Sequence, residues 1–222
     1  MPRDTAAVKV RAVEHYGGRI IFCEPTLADR MATAERVQRE TGAVLVHPYD
    51  DVRVIAGQAT VGWELLEQQP ELHAVIAPVS GGGLLSGIAL AVAAAHPSCA
   101  VFGAEPETVN DAAGSLRTGR VQPAPGGRTG ADGVRAALSA RTFAILQRHA
   151  REIMCVSEAE LVAAMRLIWE RMKIVVEPSA AVPLAAVLRH AGRFAGQHVG
   201  IILTGGNVDL DRLPWQAHDH NR

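Results

Sequence analysis

His73-Ala74-Val75-Ile76-Ala77-Pro78-Val79-Ser80-Gly81-Gly82-Gly83-Leu84-Leu85-Ser86-Gly87 is the stretch whose reading decides how this chain folds. The apolar run His73–Pro78 has the length of a buried strand, and the small apolar run Leu84–His96 reads as a helix. Three glycines join them. Lacking side chains, they let the backbone turn sharply and bring its N–H groups close to a ligand. Those N–H groups, with the positive end of the following helix, suit an anion such as a phosphate monoester. A dinucleotide-binding Gly-x-Gly-x-x-Gly starting at Gly81 would need glycine where Ser86 stands. A P-loop needs Gly-Lys-Ser/Thr, and no lysine is nearby. A tight strand-to-helix turn that holds no ligand is the plainer alternative.

Outward from this loop the chain alternates helix and strand, which predicts an α/β fold with a mainly parallel sheet. Upstream, the pattern predicts a helix over Asp4–His15, a strand over Arg19–Cys23, a helix capped by Thr26 and ending at Gly42, a strand over Ala43–Val46, and a long helix over Val52–Gln69. Downstream it predicts a strand over Ala100–Ala104, then an irregular Pro/Gly-rich connection over Gln122–Gly133. Ser157-Glu158-Ala159-Glu160 fits a capping box opening a helix to about Met172. A helix after Pro178 leads to a strand over Val199–Leu203 and the turn Thr204-Gly205-Gly206-Asn207.

Composition narrows the function classes. With 222 residues, 48% of them hydrophobic and 20% charged, the chain can bury a sizeable core as a soluble globular protein. A net charge of −1, with scattered arginines, offers no basic footprint for nucleic acid. No apolar run reaches the length of a membrane span and the N-terminus has no signal-peptide core, so a cytoplasmic protein is expected. Cys23, Cys99 and Cys155, odd in number and set among apolar residues, read as buried free thiols. His218 and His220 in the polar tail read as solvated side chains.

Ser80-Gly81-Gly82-Gly83-Leu84 resembles the tetraglycine loop that holds the cofactor phosphate in the serine racemase and threonine/serine dehydratase family of pyridoxal-phosphate (PLP) enzymes. Further segments match the family in order: His47-Pro48-Tyr49-Asp50-Asp51, Val54-Ile55-Ala56-Gly57-Gln58-Ala59-Thr60, Glu105-Pro106, Ala131-Asp132-Gly133-Val134, Trp169-Glu170-Arg171-Met172-Lys173, Val176-Glu177-Pro178-Ser179-Ala180 and Leu203-Thr204-Gly205-Gly206-Asn207-Val208-Asp209. Ser80 replaces the first of the usual four glycines, Ala59 stands where glycine is usual, and Tyr49 stands where serine racemase has asparagine.

The resemblance implies a three-layer, mainly parallel sheet of the tryptophan-synthase-β-like type (fold type II), incomplete at the N-terminus. Residues 1–50 would form part of a small α/β domain, and 51–222 the larger cofactor domain. It assigns cofactor binding to Ser80, Gly81, Gly82, Gly83, Leu84 and Thr204, with the Thr204 hydroxyl facing the pyridine nitrogen. A neutral partner there leaves the nitrogen unprotonated, which suits β-elimination. Glu105, the Val109 carbonyl and Asp111 resemble a site for Mg²⁺ or Ca²⁺, which prefer hard oxygen ligands. Tyr16, Lys173 and Asn207 match positions that contact ATP as an effector, and Arg30 matches an arginine implicated in closing over substrate. The implied reaction is loss of water and ammonia from serine, threonine or a related β-hydroxy amino acid, with or without racemisation, in a homodimer.

The family's chemistry also requires a lysine that forms a Schiff base with the cofactor. The chain has two lysines, Lys9 and Lys173. Lys9-Val10-Arg11 superficially resembles the family's Ser-Phe-Lys-x-Arg segment, but Ala7-Val8 precede it. Lys173 matches the nucleotide position. No catalytic lysine is therefore assigned, and the chain by itself is expected to be inactive. Two rival readings stay open: a non-catalytic phosphate- or partner-binding relative, and a cysteine-synthase-like β-replacement enzyme.

Overall fold

The computed structural model describes residues 1–216, so His218 and His220 lie outside the described residues. The chain divides into two units, Met1–His47 with Asn207–Asp211, and Pro48–Gly206 with the residues from Arg212 on.

In the larger unit a four-stranded parallel sheet has the order β3-β2-β1-β4, from β1 (Ala74–Pro78), β2 (Ala100–Pro106), β3 (Glu152–Val156) and β4 (Val199–Ile201). Every residue of β1 is buried, as expected of a central strand covered on both faces. Side chains alternate across the sheet. Val75, Ala77, Val101 and Ile153 join Leu85, Ile88, Ala89 and Val92 of α4 (Gly83–Ala95) in one apolar cluster. Helix α3 (Val52–Gln68) packs on α4, as does α6 (Ala140–His149). Alternation sends Ile76, Phe102, Ala104 and Met154 to the other face, and α8 (Pro178–Arg189) packs against β1, β2 and β3 with α7 (Glu158–Met172) against α8. The result is a three-layer α/β arrangement. Helix α5 (Asp111–Thr118) packs against β3.

Local signals account for several boundaries. Asp51 caps α3, its carboxylate accepting from Arg53 N–H at 2.8 Å. Ser157 and Glu160 form the expected reciprocal capping box of α7. Pro178 sits in the first turn of α8, where its missing N–H costs nothing.

The smaller unit holds α1 (Ala7–His15) and α2 (Leu27–Thr41). Thr26 caps α2 by accepting from Asp29 N–H at 3.2 Å, and Gly42 ends it with φ +70°. Helix α1 begins later than expected because Thr5 is held in a turn by Pro2, whose carbonyl accepts from the Thr5 hydroxyl at 2.7 Å. The strands expected over Arg19–Cys23 and Ala43–Val46 do not form. Only an isolated bridge joins Pro2 and Cys23, and Val44, Leu45 and Val46 are exposed. Apolar β-branched sequence makes a strand only where a second backbone supplies its hydrogen bonds, and among the described residues 43–46 have no strand partner.

All three cysteines are free; Cys23 and Cys99 are buried as expected, whereas Cys155 is only half-buried on β3. No helix among the described residues is long and apolar enough to cross a membrane.

Candidate active site

The apolar chemistry of β1 carries the backbone through the core and delivers Ser80 to its C-terminal end. Beyond Pro78, Val79 N–H still bonds the Ala104 carbonyl at 3.0 Å, so the loop starts in alignment with β2. Gly82 then takes φ +89° and ψ 0°, a left-handed conformation that serves as the N-cap of α4. No side chain caps this helix. The N–H groups of Gly81, Gly82 and Gly83 have no acceptor among the described residues, while Ser86 N–H bonds back to Gly82. Orphan donors at the positive end of a 13-residue helix are groups that an anion would satisfy. A Cβ at Gly81 would lie 2.4 Å from the Tyr49 ring, so any side chain there would displace the tyrosine.

Ser80 is held rather than free. Its Oγ accepts from Ala136 N–H at 3.0 Å and lies 3.5 Å from the Ala136 carbonyl. Thr142 Oγ1 donates to the Gly81 carbonyl at 2.8 Å. Leu84, half-buried, is the second residue of α4. Thr204 is exposed just beyond β4, the strand beside β1, where Ile202 N–H bonds the Ile76 carbonyl at 2.9 Å. The glycine loop and Thr204 therefore both follow the C-terminal ends of neighbouring parallel strands, where open α/β sheets bind their ligands.

The third strand end contributes a pair of acids. Glu105 on β2 is 1% exposed and Asp111, at the start of α5, is 4% exposed. Glu105 accepts from Ala113 N–H at 2.7 Å and Ala112 N–H at 3.3 Å, both in the first turn of α5. Burial pushes the Glu105 carboxyl up to about 8, and the charge of Asp111 adds to the rise against the pull of those two N–H groups. Burial likewise raises Asp111 to about 6, against the opposing pull of its own backbone N–H and that of Leu138. Asp111 Oδ2 is buried with no hydrogen-bond partner among the described residues. Val109, also buried, ends the short 3₁₀ turn Glu107–Val109 between them. A buried, unpartnered carboxylate oxygen beside a second acid is an environment that a divalent cation would relieve. Among the described residues no group of three His, Cys, Asp or Glu side chains could hold a metal, so main-chain oxygen would have to complete such a site.

The remaining expected residues are more dispersed. Arg30 lines a cavity of about 520 Å³ in the smaller unit together with Arg19, Ile21, Cys23 and Val37. Tyr16, in the same unit, is 85% exposed and meets His15 edge to face. Asn207 is exposed and belongs to that unit's second segment. Lys173, in the larger unit, ends α7 with φ +60° and donates from Nζ to the Glu170 carbonyl at 2.6 Å. Sequence reading missed Ala136, Leu138 and Thr142, which grip the glycine loop. Ser139, a helix-capping residue type at the start of α6, is a local signal that could have marked this segment.

The family profile described as "Pyridoxal-phosphate dependent enzyme" matches residues 1–205. The chain belongs to the PLP-dependent enzymes. Among members of that family it is 47% identical over 215 residues to the β-hydroxyaspartate dehydratase of Paracoccus denitrificans, an alignment covering 97% of this chain and 68% of that protein. It is 42% identical over 222 residues to the serine racemase of Arabidopsis thaliana, covering 98% of this chain and 67% of the relative. The structure of maize serine racemase superposes with a TM-score of 0.91 at 42% identity, over 95% of this chain and 65% of that one. The chain thus spans about two thirds of the length of the PLP-dependent enzymes it matches.

Proposed function

We propose that this chain carries the phosphate-binding and cation-binding part of a PLP-dependent ammonia-lyase or racemase acting on serine, threonine or a related β-hydroxy amino acid. The observation that carries the reading is the set of unsatisfied N–H groups at Gly81–Gly83, at the positive end of α4 and at the C-terminal edge of the sheet. These groups bind the phosphate, with Leu84 in the same helical turn and Ser80 fixing the loop's entry. The Thr204 hydroxyl meets the ring nitrogen without charging it. Bound there, PLP supplies an electron-withdrawing ring that weakens the Cα–H bond of an attached amino acid. Glu105, Asp111 and the Val109 carbonyl bind Mg²⁺ or Ca²⁺, which neutralises two buried acids and stiffens the turn between β2 and α5.

Arg30 contacts substrate in this reading, and Tyr16, Lys173 and Asn207 contribute to an ATP effector site. The working protein is a cytoplasmic homodimer. The names of the relatives, a β-hydroxyaspartate dehydratase and serine racemases, support the substrate class. With only Lys9 and Lys173 present, this chain alone binds the cofactor without turning over.

Titration of the purified chain with PLP and with pyridoxal, which lacks the phosphate, tests the reading. Phosphate-dependent binding, at least about tenfold tighter for PLP, is expected from several N–H donors on a charged group. Equal affinity for the two compounds would remove the glycine loop from the site.

A further inference from the structure

The glycine loop does not hold its own shape: the segment Ala136–Thr142 holds it. Ala136 N–H bonds Ser80 Oγ at 3.0 Å on one side of the loop, and Thr142 Oγ1 donates to the Gly81 carbonyl at 2.8 Å on the other. Between them the backbone of Gly82 faces this segment so closely that a Cβ there would lie 2.8 Å from both Leu138 Cδ2 and Thr142 Cβ. Thr142 is completely buried. We infer that Thr142 is a positioning residue for the phosphate loop: its hydroxyl fixes the Gly81 carbonyl and so sets the direction of the Gly82 N–H.

The geometry follows from elementary peptide chemistry. In a trans peptide the C=O of one residue and the N–H of the next point in opposite directions, and among the described residues no peptide is cis. Tying the Gly81 carbonyl to Thr142 therefore turns the Gly82 N–H away from Thr142, and that N–H has no acceptor among the described residues. The hydroxyl is itself oriented. Ser139 N–H donates to Thr142 Oγ1 at 3.0 Å, which occupies a lone pair and leaves the single proton for the shortest available acceptor. The alternatives are weaker: the Ser139 carbonyl lies at 3.3 Å and Ser139 Oγ at 3.2 Å. The capping box of α6 thus serves two ends at once, starting a helix and aiming a peptide group 61 residues earlier in the chain. Without the hydroxyl, a glycine peptide has little resistance to flipping, and a flipped Gly81–Gly82 peptide would present a carbonyl oxygen to the phosphate.

This inference rests on the phosphate reading of the loop, and the test separates the two. The PLP and pyridoxal affinities of the full 222-residue chain are measured for wild type, Thr142→Val and Thr142→Ser. Valine keeps the size and removes the donor; serine keeps the donor. The expected result is a loss of about tenfold in PLP affinity for Thr142→Val with pyridoxal affinity unchanged, and values within about twofold of wild type for Thr142→Ser. Should Thr142→Val fail to melt cooperatively, Thr142→Cys, of similar size but a weak donor, is expected to show the same selective loss. A wild-type chain without preference for PLP over pyridoxal would overturn the phosphate reading and this inference with it. A wild-type preference that persists undiminished in the folded Val or Cys variant would overturn the role of Thr142 alone. Equal weakening of PLP and pyridoxal would also overturn it, since a merely structural residue would act on both.

Discussion

At the scale of single residues, the acids behind the loop make the sharpest forecast. Unfolded, Glu105 titrates near its ordinary 4.5, and folded it holds its proton to about 8. Between those values the folded chain binds more protons, so its stability falls as pH rises. The cost is absent below about 4.5 and fully present above about 8, on the order of a few kcal/mol. The metal-free chain should therefore lose more Tm between pH 6 and pH 8.5 than Glu105→Gln does; parallel curves for the two would refute the assignment. A divalent cation binds the ionised carboxylates and competes with protons. The Tm increment given by Mg²⁺ should grow from pH 6 to pH 8.5 and vanish in Glu105→Gln. An increment that ignores pH, or survives the substitution, would mean the cation binds elsewhere.

At the scale of elements, helix ends do much of the positioning. In α7 the carboxylate of Glu160 accepts from Ser157 N–H at 2.8 Å, while Glu160 N–H bonds Ser157 Oγ at 3.3 Å. The hydrogen bonds from Ser157 hold the Glu160 carboxyl below its usual range. Ser157→Ala should cost about 1 kcal/mol of stability, read as a lower denaturant midpoint at unchanged slope. It should leave the preference for PLP over pyridoxal intact, because among the described residues no hydrogen bond joins α7 to the glycine loop or to Glu105 and Asp111; a changed preference would show that α7 does more than support α8. The segment before α6 differs in kind. Through Ser80 and Gly81 it holds the glycine loop, and the Leu138 backbone pulls down the carboxyl of Asp111 in the acid pair.

At the scale of the whole molecule, chemistry and solubility both follow from what the chain contains. Lys173 Nζ is engaged with the Glu170 carbonyl at the end of its own helix, and Lys9 lies in α1 of the smaller unit. Neither is expected to become covalently linked to the cofactor. After PLP addition and borohydride reduction, mass spectrometry should find no stoichiometric pyridoxyl-lysine, and serine, threonine and hydroxyaspartate should yield no ammonia. Stoichiometric labelling of Lys9 or Lys173 with turnover would refute this. In the smaller unit Val44, Leu45 and Val46 are 77%, 52% and 66% exposed on backbone that joins no sheet. Exposed apolar extended chain recruits partners. Light scattering should show concentration-dependent association, reduced in Leu45→Lys; association unchanged by that substitution would place the sticky surface elsewhere.

What the sequence determined by itself was everything written within a few residues of itself. The caps at Thr26 and Ser157, the glycine stop at Gly42 and the wholly apolar β1 were legible because their hydrogen bonds and burial follow from neighbouring letters. So was the glycine loop as a sharp turn from strand to helix, because three consecutive glycines stand between an apolar strand and a helix. What only the tertiary structure decided depends on distant chain. Arg19–Cys23 and Ala43–Val46 have the letters of strands, but a strand exists only by pairing, and no pairing partner reaches 43–46 among the described residues. Strand β3, Glu152–Val156, alternates too little to announce itself, yet it completes the sheet because β2 offers it a parallel edge. The grip of Thr142 on Gly81 spans 61 residues and that of Ala136 on Ser80 spans 56. No local pattern encodes such contacts, because the side chains that make them are chosen for where the fold brings them and not for what lies beside them in sequence.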